Sequence, residues 1–190
     1  MYREITNDLY KWKDSKRRKP LMIACFMCWL IVLRLLIIAE VPVKAFVPKG
    51  EWVFSNPSSI SYYLDTSVSG YISSIGPFVE IWGAYCPEVS FYQTATNGNI
   101  TIRGNLNVSN GTFATCVRGS GERCTITLYH SYQNLSANNQ HEVIVHEVGH
   151  ALGLNHCQAV YEYISVMRAV GFNNKPYPLS DDIDGISYLY

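Results

Sequence analysis

Charge is scarce in this chain: Asp, Glu, Lys and Arg make up 16% of its 190 residues, and the formal net charge is zero. It has no low-complexity block and no internal repeat, so solenoid and disordered-tail readings fall away. Close Cys-x-x-Cys pairs of the kind that build structural zinc sites are missing as well. The few charges are unevenly placed. Residues 1–19 hold seven bases against three acids, while from Phe46 onward six bases face eleven acids. An acidic body argues against nucleic acid as a partner, and the length suits one globular domain with a targeting segment.

What is present begins with an apolar run, Leu21 to Ala39, broken by Arg34 and preceded by the basic block. This pattern is a signal peptide or a signal anchor. Val43-Lys44-Ala45 offers small or neutral residues for cleavage. Arg34 in a permanent span would cost about 2.5–3.5 kcal/mol near the bilayer centre. Either outcome sends the body across the membrane: it is expected secreted, or tethered outside with residues 21–39 as its membrane contact. The expected division is therefore 1–45 targeting, 46–59 linker and 60–190 folded domain. A monomer is expected.

Export agrees with four cysteines beyond the apolar run, Cys86, Cys116, Cys124 and Cys157. Cys116 and Cys124 flank a turn-like Arg-Gly-Ser-Gly stretch, so a bond across a hairpin is expected there, leaving Cys86 with Cys157 by elimination. Asn99, Asn107, Asn110 and Asn134 head glycosylation sequons.

The body alternates between two periodicities. Strands are expected at Ile60 to Leu64, Val89 to Thr94, Asn99 to Arg103, Thr112 to Val117 and Cys124 to Tyr129. Apolar residues at helical spacing run from Ser67 to Trp82, although Gly76-Pro77 interrupts them. Ser131 to Gln140 reads as a polar loop. A helix follows from His141 to Leu152, ended by Gly153, and Ser180 is expected to cap a last helix whose first turns carry Asp181, Asp182 and Asp184. This order describes an α+β domain.

The chemistry lies in His146-Glu147-Val148-Gly149-His150-Ala151-Leu152-Gly153-Leu154-Asn155-His156. Histidines four apart project from one helix face, one turn apart, and can share a metal ion. Gly153 lets the chain turn sharply and bring His156 back as a third ligand. Three ligands with one open position describe a catalytic zinc, Zn2+, rather than a closed structural one. Glu147, beside the open position, is placed to take a proton from a bound water. His130 and His141 lack this patterning and read as ordinary polar residues.

The stretch HEVGHALGLNH resembles the HExxHxxGxxH signature of metzincin metalloproteases. Met167 stands where that family places a methionine turn beneath the metal, and Pro178 to Tyr190 resembles the C-terminal helix of matrixin catalytic domains. Pro176-Tyr177 resembles the family's pocket-wall segment. The resemblance implies a zincin fold: a mixed twisted sheet, an active-site helix, a second packing helix and a C-terminal helix. It also implies an edge strand beside the cleft, and a zinc endopeptidase acting on proteins or peptides. The chain departs from the family in lacking both the residues of a second, structural zinc and a cysteine between Ala45 and the first strand that would serve as a latency switch. Rival readings are a zinc hydrolase of a non-peptide amide and a catalytically silent binding protein on the same fold.

Overall fold

The computed structural model describes residues 46–50 and 53–190. The basic flank and the apolar run at 21–39, with their cysteines and cleavage motif, lie outside the described residues.

Five strands form one sheet: β1 (Ile60–Leu64), β2 (Phe91–Thr94), β3 (Ile100–Asn105), β4 (Ala114–Arg118) and β5 (Cys124–Tyr129). Their spatial order is β2-β1-β3-β5-β4. The first three neighbour pairs are parallel, and β4 runs antiparallel to β5 at the edge. β1 shows the period-2 alternation of a one-sided strand, with Ile60, Tyr62 and Leu64 buried. β5 is buried more continuously, with Cys124, Ile126, Thr127 and Leu128 all inside. The sheet is therefore mixed, and the fold is α+β.

Two long helices pack on each other. Helix α1 (Ile72–Tyr85) lies along β2, and α3 (Ala137–Leu152) lies along β4 and β5. Between them α2 (His130–Gln133) is a single turn, and α4 (Ser180–Leu189) closes the chain. Ile75, Val79 and Trp82 of α1 meet Ile144, Val145, Val148 and Leu152 of α3 in a core whose members are all fully buried. The Trp82 indole N–H donates to the Val145 carbonyl at 3.1 Å, which satisfies the one polar atom that side chain brings inside.

The helices correct several expectations. The first begins as a 3-10 turn, Thr66–Tyr71, capped by the Asp65 carboxylate on the Ser67 N–H at 2.8 Å, and runs on through Pro77 to Tyr85. Pro77 is tolerated because it and Ser73, whose carbonyl it leaves without a helical donor, both face solvent. The stretch read as a loop, 131–140, holds α2 and the first turn of α3, which is capped by the Ser136 hydroxyl on the Asn139 N–H. Its polar residues form the outer side of a helix start. Ser180 does not cap α4. Asp182 does so by accepting the Leu179 N–H at 2.8 Å. Residues 46–49 also pack on the domain: Phe46 is 8% exposed, and Pro48 bridges to Leu154.

All four described cysteines are free thiols, so the expected disulfides are not formed here. Cys116 pairs with Ile126 and Cys124 with Arg118, which puts the two thiols at diagonal positions on one face, in hydrogen-bond contact. Cys86 is buried near Glu88 and Asp182, and burial raises its thiol to about 12. Cys157 instead contacts the Ser165 hydroxyl.

Candidate metal centre

Helix α3 presents His146 and His150 from one face, one turn apart, as their spacing dictates. The helix stops at Gly153, whose φ of 108° is left-handed and whose N–H caps the carbonyls of Gly149 and His150. The reversed chain then carries His156 back. The three imidazoles converge, with centroids 4.7, 5.2 and 4.9 Å apart, and their ligand atoms lie within 4.8 Å of one another.

Each helical imidazole is oriented by a backbone carbonyl. His146 Nδ1 lies 2.9 Å from Val166 O, and His150 Nδ1 lies 2.8 Å from Leu154 O. A ring that donates Nδ1–H to a carbonyl leaves the Nε2 lone pair for a metal. His150 Nε2 and His156 Nε2 are 3.2 Å apart. Two nitrogens bound to one tetrahedral zinc at about 2.0–2.1 Å would be separated by about 3.3–3.4 Å. The donor set therefore fits a zinc ion, and a cation between those lone pairs removes their repulsion. Burial holds the imidazoles in the neutral, ligand-competent form: it lowers His146 to about 4 and His150 to about 3, and lowers His156 as well.

Glu147 lies beside the cluster, 7% exposed, and its Oε2 has no hydrogen-bond partner among the described residues. Burial raises its carboxyl to about 7, and the nearby positive charge of Lys49 opposes that rise. The segment after the third histidine is built around Asp182. This buried carboxylate accepts the Ser165 hydroxyl, the Val166 N–H at 2.7 Å and the Leu179 N–H. Asp182 thus fixes the residue whose carbonyl orients His146. Met167, 1% exposed, packs so closely under Gly149 that a Cβ there would overlap its sulfur. The Met167 carbonyl also accepts the Cys157 N–H at 2.7 Å, which ties the third-histidine loop to the methionine turn.

A pocket of 370 Å³ opens beside the cluster. His146, Glu147 and His156 line one side, Gly111–Ala114 at the start of the edge strand another, and Arg168–Phe172 a third. Pro176-Tyr177 is not part of this wall: Tyr177 stacks on Tyr85 at 5.6 Å instead. The wall loop is anchored from within by Glu142, 2% exposed, which accepts the Asn173 N–H at 2.8 Å. Burial raises the Glu142 carboxyl, while the backbone donors of 173–175 and the charge of Arg168 pull it down.

His130 and His141 stay apart from the cluster. His130 meets the Leu106 carbonyl at 3.1 Å, and His141 stacks on Phe78 at 3.8 Å. Sequence reasoning missed the Val166 and Leu154 carbonyls, because backbone acceptors leave no trace in composition. It read Asp182 as a helix-dipole residue and gave Lys49 no role.

No curated protein matches the chain. The family model for matrixins, the M10 peptidases, matches residues 81–190, which takes in β2 through α4 and all three converging histidines. That match spans more than half of the sequence, so the chain belongs to the matrixin family and carries its metalloendopeptidase domain.

Proposed function

We propose that this chain is a zinc-dependent endopeptidase in which His146, His150 and His156 hold the metal and Glu147 is the general base. The observation that carries the reading is the pairing of three neutral imidazoles, two of them tied back to carbonyls, with a buried carboxylate oxygen that has no partner among the described residues. A bound zinc ion acidifies its water and polarises a substrate carbonyl.

The chain's own groups do the rest. Glu147 Oε2 takes the proton of the attacking water and delivers it to the leaving amine nitrogen. Its carboxyl, poised near neutrality by burial, can do both. The free edge of β4 accepts an extended peptide through main-chain hydrogen bonds. The adjoining pocket takes one substrate side chain and fixes which bond lies over the metal. The apolar run at 21–39, read as a targeting segment, supports a location outside the cell.

Glu147→Gln should lose turnover by about two to four orders of magnitude, the scale of general-base catalysis. It should still bind one zinc per chain by metal analysis. Peptidase activity close to wild type in that variant would remove Glu147 as the base. Loss of zinc together with activity in His156→Ala would support the ligand set.

A further inference from the structure

The cleft has a cation at each end, Arg168 at one and Lys49 at the other, and of the two only Arg168 is ion-paired among the described residues. At one end the pocket is walled by Val143, early in α3, with Arg168 and Phe172. At the other end lies Lys49, whose backbone is locked to the end of α3. The Lys49 N–H donates to Gly153 O at 2.7 Å, and the Asn155 N–H donates to Val47 O at 2.7 Å. Arg118 closes this corner, donating to Lys49 O at 3.0 Å and to His150 O at 3.3 Å. At the helical rise, Val143 and Gly153 are about 15 Å apart, and the imidazoles stand between them. A peptide laid across the histidines meets the pocket on one side and Lys49 on the other.

Two cations therefore share a corner of an otherwise acidic body. Lys49 is half-buried and forms no ion pair among the described residues, where the one pair joins Arg168 to Glu162 at 3.5 Å. The Lys49 charge acts on Glu147, His150 and His156, and on Cys124 at the start of β5, so its ammonium stands within electrostatic reach of the site at the corner where α3 ends. A partly desolvated ammonium without a counter-charge gains from a carboxylate brought by a ligand and gains little from a neutral side chain.

We infer that Lys49 is a specificity-determining residue, selecting substrates with an acidic side chain on the side of the scissile bond away from the pocket. The inference rests on the peptidase reading above. The stem of Lys49 supplies reach, and Arg118 holds its backbone in place.

The test uses the zinc-loaded full-length chain and peptides that differ only by Glu or Gln at each position flanking the cleaved bond. At one position on the far side of the bond, kcat/KM should favour Glu by about fivefold, the scale of one partly exposed ion pair. That ratio should fall to about one in Lys49→Met, which keeps the aliphatic stem, and invert in Lys49→Glu. It should persist in Lys175→Met, which removes the same charge from an exposed loop. Fluorescence anisotropy of the labelled peptides on the metal-free chain should show the same ratio in Kd, shrinking as salt is raised. Equal rates for Glu and Gln at every position, or a ratio that survives in Lys49→Met, would overturn the inference. If zinc-loaded wild type cuts no peptide, the peptidase reading fails, and the anisotropy ratio alone then supports or overturns the role of Lys49.

Discussion

Asp182→Ala and Asp182→Asn separate two properties of one buried carboxylate. Asp182 is 1% exposed and accepts hydrogen bonds from Ser165, Val166 and Leu179. Alanine leaves three donors without their acceptor. At about 1–3 kcal/mol for each buried group left unpaired, and with water relieving part of the loss, the cost is about 3–5 kcal/mol. Asparagine keeps the shape: its oxygen can accept both N–H groups, and its NH2 can face a rotated Ser165 hydroxyl. It should cost about 1 kcal/mol near pH 4, where the carboxyl it replaces is neutral. Both values come from urea unfolding of the metal-free full-length chain.

The same pair of proteins tests the charge. Burial outweighs the three hydrogen bonds and raises the Asp182 carboxyl from 3.8 to about 6. A folded pKa above the unfolded one means that the native state binds the proton more tightly. Ionisation is therefore a cost, fully present above pH 6 and relieved as pH falls toward 4. Two pH units correspond to about 3 kcal/mol. The stability of wild type minus that of Asp182→Asn should fall by about that much between pH 4 and pH 7. Taking the difference removes the buried histidines, whose depressed pKa values act in the opposite sense. A difference that stays flat across this range would show that the hydrogen bonds compensate burial. Asp182→Ala should also weaken zinc binding by about 10–100-fold, because the Val166 carbonyl that orients His146 is released.

Three further outcomes follow from single contacts. Gly149→Ala pushes a methyl into Met167 and to 3.0 Å from Trp82, so overpacking of about 1–3 kcal/mol should exceed the gain of roughly 1 kcal/mol in helix propensity, read as a lower urea midpoint. Pro77→Ala restores a donor for the Ser73 carbonyl on an exposed face and should stabilise by about 1–2 kcal/mol, and a lower midpoint would show that the proline fits its turn without cost. Oxidised protein should give a Cys116–Cys124 peptide in a non-reducing digest, with Cys86 and Cys157 alkylated only after unfolding; rapid alkylation of Cys124 in the folded, oxidised protein would refute that pairing.

Local patterns in the sequence expose the elements that local physics decides. Alternation located all five strands, with β1 and β5 placed to the residue, and the histidine spacing located the face of α3 on which the imidazoles converge. The start of α3 escaped because Ala137-Asn138-Asn139-Gln140 carries no apolar period. Its helical state comes from the Ser136 cap and from continuity with the buried turns that follow. The strand order escaped for a different reason. Parallel pairs of β1 with β2 and β3 depend on crossovers whose packing no short window contains. The pocket wall was misplaced onto Pro176-Tyr177 because the anchoring contact, Glu142 to the Asn173 N–H, joins residues 31 apart.

The metal-facing geometry is governed by carbonyls that lie far from their imidazoles in the chain or beyond the end of the helix. His146 is set by Val166, which is set by Asp182, so the first imidazole depends on α4. His150 is set by Leu154, whose bridge to Pro48 makes the second imidazole depend on the entry segment. His156 has no such carbonyl on its ring among the described residues; what restrains it is backbone, through Asn155 to Val47 on one side and Cys157 to Met167 on the other. Each imidazole is therefore steadied by a different distant segment. A helix bearing the His-Glu motif alone would keep the spacing of two imidazoles but lose the orientation of all three. The signature is legible in eleven residues, while the site itself requires the chain from Val47 to Asp182 to be folded around it.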